Sequence, residues 1–154
     1  MTSGCLTLHP MKLLSLLLIL TTAKVSAQTD MWAVFSKTRF DAKYSEKVME
    51  YLMFPTFPPE VKALQGKTIT LEGYYLPVDV TGGAYIIISK YPYSQCFFCG
   101  GAGPETIAEV TFRSTPPKFT ADQFIRIKGK LTLNTDDIDH TNFLVTDAEL
   151  ITKP

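Results

Sequence analysis

From Gly66 onward the chain reads as one extended segment after another, most of them alternating apolar and polar side chains with a period of two. Such a pattern buries an apolar face only as a sheet. The clearest segment is Gln123–Leu133. Ile125, Ile127, Gly129, Leu131 and Leu133 face one way there, and Arg126, Lys128 and Lys130 face the other. In Thr68–Leu76, Ile69, Leu71, Gly73 and Tyr75 share a face, and Pro77 ends the segment. Thr81-Gly82-Gly83 then turns the chain. Ala84–Lys90 carries three consecutive isoleucines, which suits a strand buried on both faces. Glu105–Ser114 alternates again, with Ala108, Val110 and Phe112 together, and Asn142–Ile151 is the last segment. The expected strands are 67–78, 83–91, 105–114, 122–134 and 142–151, running up and down in order. Gly73 and Gly129 fall inside strands, where a sheet must coil sharply, so the five close into a small barrel. Ile69, Leu71, Ile87, Val110, Ile125, Ile127, Leu131 and Leu144 are its expected buried residues.

The stretch before the barrel, residues 28–65, is mixed. Asp30 can cap a short helix carrying Trp32, Val34 and Phe35. Val48, Tyr51 and Leu52 follow Ser45 at helical spacing, so Ser45–Met53 is expected as helix. Pro55, Pro58 and Pro59 stop any helix there, and Glu60–Leu64 can form one turn that plugs an opening in the barrel.

Residues 1–27 read as an address. Met11 and Lys12 precede the apolar run Leu13–Leu20, and Val25-Ser26-Ala27 fits signal-peptidase cleavage before Gln28. Residues 1–10 resemble an unused upstream start. The run is too short for a membrane span, which needs about 20 residues, and Gln28 rather than a Cys stands directly after the cleavage site, so no lipid anchor is expected. The mature chain is therefore expected in the periplasm or secreted, with no stable membrane insertion.

The whole chain has 15 Lys+Arg against 15 Asp+Glu. Losing Lys12 and Lys24 with the leader leaves 13 against 15, a net charge of −2. A slightly acidic domain lacks the electrostatic footprint of a nucleic-acid binder. At 45% hydrophobic and 19% charged residues, the chain has the means to build a core.

After the leader, Cys96 and Cys99 are the only cysteines and His140 the only histidine. The segment Cys96-Phe97-Phe98-Cys99-Gly100-Gly101-Ala102-Gly103-Pro104-Glu105 admits three readings: two thiolates of a metal site, a cycling dithiol, or a static disulfide. Three glycines and a proline after Cys99 prevent the helix start that lowers a thioredoxin-type thiol pKa. One CxxC supplies only half of a tetrahedral zinc site. With strands running up and down, the loop after the second strand and the loop after the fourth lie at one barrel end. The latter is Asn134-Thr135-Asp136-Asp137-Ile138-Asp139-His140. Cys96, Cys99 and His140 are then the expected zinc ligands, with Asp139, another of the loop's aspartates or water as the fourth. The competing reading makes Cys96–Cys99 a disulfide, as an exporting compartment favours, and leaves the aspartates as turn formers. No G-x-S-x-G elbow and no H-E-x-x-H is present, which argues against hydrolase chemistry.

Several motifs occur in order: Leu64-Gln65-Gly66-Lys67, Gly73-Tyr74-Tyr75-Leu76-Pro77, Ser89-Lys90-Tyr91-Pro92, the cysteine segment through Gly103-Pro104-Glu105, and Gly129-Lys130-Leu131-Thr132-Leu133-Asn134. Together, from about Trp32 to the C-terminus, they resemble an uncharacterised family of exported bacterial proteins. The resemblance implies a compact oligonucleotide/oligosaccharide-binding (OB) barrel and no settled activity. More distant relatives carry a Cys/His cluster in this loop and accompany membrane-transport or metal-handling systems. Here Phe97-Phe98 stands where such relatives have a histidine between cysteines, leaving His140 as the available imidazole.

The sequence thus leads to a mainly β protein: an OB-like five-stranded barrel over 66–154 with a mixed or helical segment, 28–65, packing on it. The expected role is an exported, non-enzymatic accessory or binding protein of the bacterial envelope, with Zn2+ as its candidate cofactor. The alternatives are a thiol–disulfide protein using Cys96 and Cys99, or an adaptor for an envelope transport complex or another periplasmic protein.

Overall fold

A computed structural model describes residue 1 and residues 29–78, 85–115 and 117–151. Residues 2–27 of the leader and the Thr81-Gly82-Gly83 turn lie outside the described residues. Helix α1 (Met31–Phe35) starts where Asp30 was expected to cap it. The Asp30 carboxylate accepts from the amides of Trp32 at 3.0 Å and Ala33 at 3.4 Å. A hairpin follows, in which β1 (Arg39–Ser45) pairs antiparallel with β2 (Glu50–Thr56). The helix expected over Ser45–Met53 is therefore a turn and a strand. Cross-strand contact outweighs the helical spacing of Val48, Tyr51 and Leu52. Tyr44 pairs with Tyr51, their rings meeting edge-on at 5.4 Å, a pairing that stabilises a sheet. Met49, with a left-handed φ of 58°, closes the turn in a conformation no right-handed helix accepts. Helix α2 (Pro59–Lys62) supplies the single turn expected after the prolines, and its Val61 is fully buried.

The remaining strands are β3 (Thr68–Leu76), β4 (Tyr85–Ser89), β5 (Ile107–Phe112), β6 (Phe124–Leu133) and β7 (Phe143–Leu150). They close into a barrel in the order β3-β4-β5-β7-β6. Every pair is antiparallel except β5 with β7, which is parallel. This is the arrangement of an OB-like barrel. Neighbours in strict chain order are thus corrected in two pairings: β5 meets β7, and β6 closes the barrel against β3. With ten residues β6 is long enough to serve β3 and β7 together. Strand directions still alternate along the chain, so the loops after β4 and β6 emerge at the same end.

Closure brings backbones close at the two strand glycines. A Cβ on Gly73 would collide with the Ser89 carbonyl oxygen, and one on Gly129 would lie 2.6 Å from Val145 Cγ1. Inside the barrel Leu71, Ile88, Val110, Ile127, Leu131 and Val145 are almost completely buried. Phe35 of α1 stacks on Phe143 with centroids 4.0 Å apart, and Trp32 Nε1 donates to the Glu72 carbonyl at 2.7 Å. Met31, Phe57 and Val61 extend the same core, so α1 and α2 cover an opening of the barrel. Leu144 was expected inside and is only half-buried, with Phe143 and Val145 taking the inward positions. The alternation of β7 then breaks at Asp147, whose φ of 51° marks an irregular register, and Ala148 turns inward next.

A smaller apolar cluster lies apart from that core: Leu76, Ile87, Cys96 and Ile107. Ile88 points into the barrel and Ile87 into this cluster, so β4 is covered on both faces. Ile127 sits at full burial on the inward face of β6. Ile127→Asp should cost about 3 kcal/mol or more and leave the chain unfolded in circular dichroism. A cooperative native-like melt of that variant would mean the inward face of β6 is misassigned.

Candidate functional site

Strand β5 presents two sets of side chains. Ala108 and Val110 enter the barrel core, and Ile107 and Glu109 take the opposite face. Ile87 of β4 stands opposite Glu109 in the ladder. A carboxylate beside isoleucines would ordinarily stay wet, yet the Glu109 side chain is only 5% exposed. The loop between β6 and β7 covers it. His140 Nδ1 donates to Glu109 Oε1 at 2.8 Å, and the Thr141 amide donates to Oε2 at 2.9 Å. Thr141 Oγ1 in turn accepts from the Glu109 amide at 3.1 Å and donates to the Phe143 carbonyl at 3.0 Å.

Asn134 shapes that loop from within. Buried at its start, it donates through Nδ2 to the carbonyls of Asp137 at 2.7 Å, Thr141 at 3.1 Å and His140 at 3.3 Å. Its Oδ1 accepts from the amides of Asp137 at 3.0 Å and Asp136 at 3.3 Å. One side chain thereby replaces the ladder partners that a tight turn lacks.

The electrostatics follow from the geometry. Hydrogen bonding to Glu109 and its negative charge raise the His140 pKa above the ordinary imidazole value, against opposing desolvation; Asp137 and Asp139 add to the rise. The pair therefore adds stability that is fully present below the ordinary imidazole range and lost as pH climbs through the raised value. Burial first, and then Glu109, raises the pKa of Tyr85, whose ring lies 5.9 Å from the imidazole. Nδ1 being committed to Glu109, Nε2 is the imidazole atom left for a ligand.

This dyad borders a cavity of about 450 Å³. Its walls come from five places: β2, Val78 just after β3, the outward face of β4–β5, the cysteine loop and the Thr135–Asn142 loop. The two loops expected at one barrel end do share it, since Phe97, Phe98 and Pro104 line it together with His140. The volume falls in the range of small-molecule sites, about 300–1,000 Å³.

The expected zinc ligands are distributed differently. Cys96 is fully buried in the Leu76–Ile87–Ile107 cluster, and Cys99 is exposed. Both thiols are free. The Cys96 carbonyl accepts from the amides of Cys99 and Gly101, both at 3.2 Å, in a tight turn. Desolvation, and then the neighbouring Cys96, holds Cys99 above the ordinary thiol range, which makes its reactive thiolate scarce. His140 is bound to Glu109, and Asp139 is paired with Lys47 Nζ at 3.0 Å. Among the described residues, no group of three or more His, Cys, Asp or Glu side chains is placed to hold a metal ion.

Glu109 escaped the sequence reading because alternation alone turns it away from the barrel. The signal that could have found it is the isoleucine run of β4. A strand buried on both faces implies that its neighbour's outward face is covered too.

No family model matches the chain, and no curated protein matches it. A solved structure that resembles it is a DUF3299 family protein from Pseudomonas aeruginosa PAO1. The likeness is at 16% identity and a TM-score of 0.44, over 62% of this chain and 68% of that one.

Asn134→Ala removes five hydrogen bonds to the loop backbone. It should cost about 2 kcal/mol in denaturant unfolding and speed amide exchange at Asp136–Thr141. Unchanged exchange there would show that the loop holds its shape without Asn134.

Proposed function

We propose that the protein is an exported, non-enzymatic binding protein of the bacterial cell envelope and that it holds its ligand in the cavity beside Glu109 and His140. The observation that carries this reading is the cavity itself: an apolar-walled space of about 450 Å³ with a buried carboxylate on its wall, held by the Thr141 amide and the part-exposed imidazole of His140. Apolar walls with a few fixed polar groups are the usual make-up of a ligand site. Export rests on the leader-like residues 1–27. Zinc does not enter this reading, since Cys96 belongs to an apolar cluster and His140 and Asp139 have partners of their own.

The neutral fluorescent probe N-phenyl-1-naphthylamine tests it. It should bind saturably, one per chain. Val78 lines the cavity and is only half-buried, so the indole of Val78→Trp should take up part of the space and weaken that binding, with the melting temperature little changed. No saturable binding to the unaltered protein, or full binding to a folded Val78→Trp variant, would overturn the reading.

A further inference from the structure

The cavity's lining has a lopsided chemistry. Its charged polar groups are chiefly carboxylates, with Asp136, Asp137 and Asp139 on the loop that covers Glu109, beside the neutral Thr135, Thr141 and Asn142. Its basic side chain is His140, which is already committed to Glu109. Among the described residues no Lys or Arg forms an ion pair with Asp136 or Asp137. Much of the remaining lining is aromatic, with Tyr51 and Phe54 from β2, Tyr85 from β4 beside the imidazole, and Phe97 and Phe98 from the cysteine loop. Aromatic faces attract cations through their quadrupole, and carboxylates attract them directly. An anion would meet the same groups with repulsion.

The chain already uses both attractions at this place with its own ammonium groups. Lys47 Nζ sits 3.0 Å from Asp139, and Lys43 Nζ lies 5.8 Å from the centroid of the Phe54 ring. Both lysines belong to the β1–β2 hairpin that walls the cavity, and they leave Asp136 and Asp137 unneutralised.

From this we propose that the cavity takes a small organic cation, a protonated or quaternary amine carried on an apolar body. The apolar body lies against Ile87, Ile107 and Pro104, and the ammonium lies toward Asp136 and Asp137 with aromatic rings around it. This rests on the cavity being the binding site, as proposed above, and adds the class of ligand.

The experiment is competition against bound N-phenyl-1-naphthylamine by three probes with the same chain: octyltrimethylammonium, octanol and octyl sulfate. The cation should displace the dye at about ten-fold lower concentration than the alcohol, and the sulfate should be the weakest. Added salt should narrow the gap, because the aspartates are exposed. In the Asp136→Asn/Asp137→Asn variant the cation should lose most of its advantage while octanol is unchanged. The asparagines keep an acceptor for the bonds those side chains make with Thr135 and the Asp139 amide. Equal displacement by cation and alcohol, strongest displacement by the sulfate, or an advantage that survives the double variant would each overturn the cation proposal and leave the cavity reading standing. If the dye itself fails to bind, it is the cavity reading that falls.

Discussion

A buried carboxylate organises this end of the barrel. Leaving Glu109 unpaired out of water would cost several kcal/mol. Hydrogen bonds to a charged group return roughly 1.5–3 kcal/mol each, so the His140 and Thr141 donors at 2.8 and 2.9 Å are of the size needed to offset it. Those donors exist only because the loop between β6 and β7 folds back over β5. That loop holds its shape through Asn134, whose amide joins five backbone groups. Once the loop lies over Glu109, its aspartates stand at the mouth of a space already walled by β4, β5 and the cysteine loop. The cavity is thus a consequence of satisfying one charge.

The cysteine segment contributes by packing. Cys96 anchors it in the cluster with Leu76, Ile87 and Ile107, where a thiol behaves as a small apolar group. The tight turn after it places Phe97 and Phe98 on the cavity wall. Of the two thiols, Cys96 is thus the packed end of the segment and Cys99 the exposed one, with two aromatic rings between them.

The barrel was legible in the sequence because its information is local. Alternation in Gln123–Leu133, prolines and glycines at the turns, and two glycines inside strands each dictate a backbone state through short-range sterics. Strand direction follows from these alone, which is why the meeting of the cysteine loop and the Asn134–His140 loop could be read in advance. Which strands become neighbours could not, since the β5–β7 pairing joins segments far apart in the chain and alternation within one segment names no partner. The hairpin at Arg39–Thr56 was hidden for a similar reason. Its stability lies in cross-strand pairs such as Tyr44 with Tyr51, and helical spacing within one segment is blind to them. Glu109 is the extreme case, because its partners lie 31 and 32 residues away and its burial is decided entirely by the loop that covers it.

The Glu109–His140 pair is tested most directly by following the His140 ring through a pH titration by NMR, in the unaltered protein and in Glu109→Gln. The imidazole should titrate above the ordinary value in the first and fall back toward it in the second, with the loss of the charge that Nδ1 donates to. An imidazole that titrates at the ordinary value in the unaltered protein, or one that ignores the loss of the Glu109 charge, would contradict the pairing and with it the loop closure that forms the cavity.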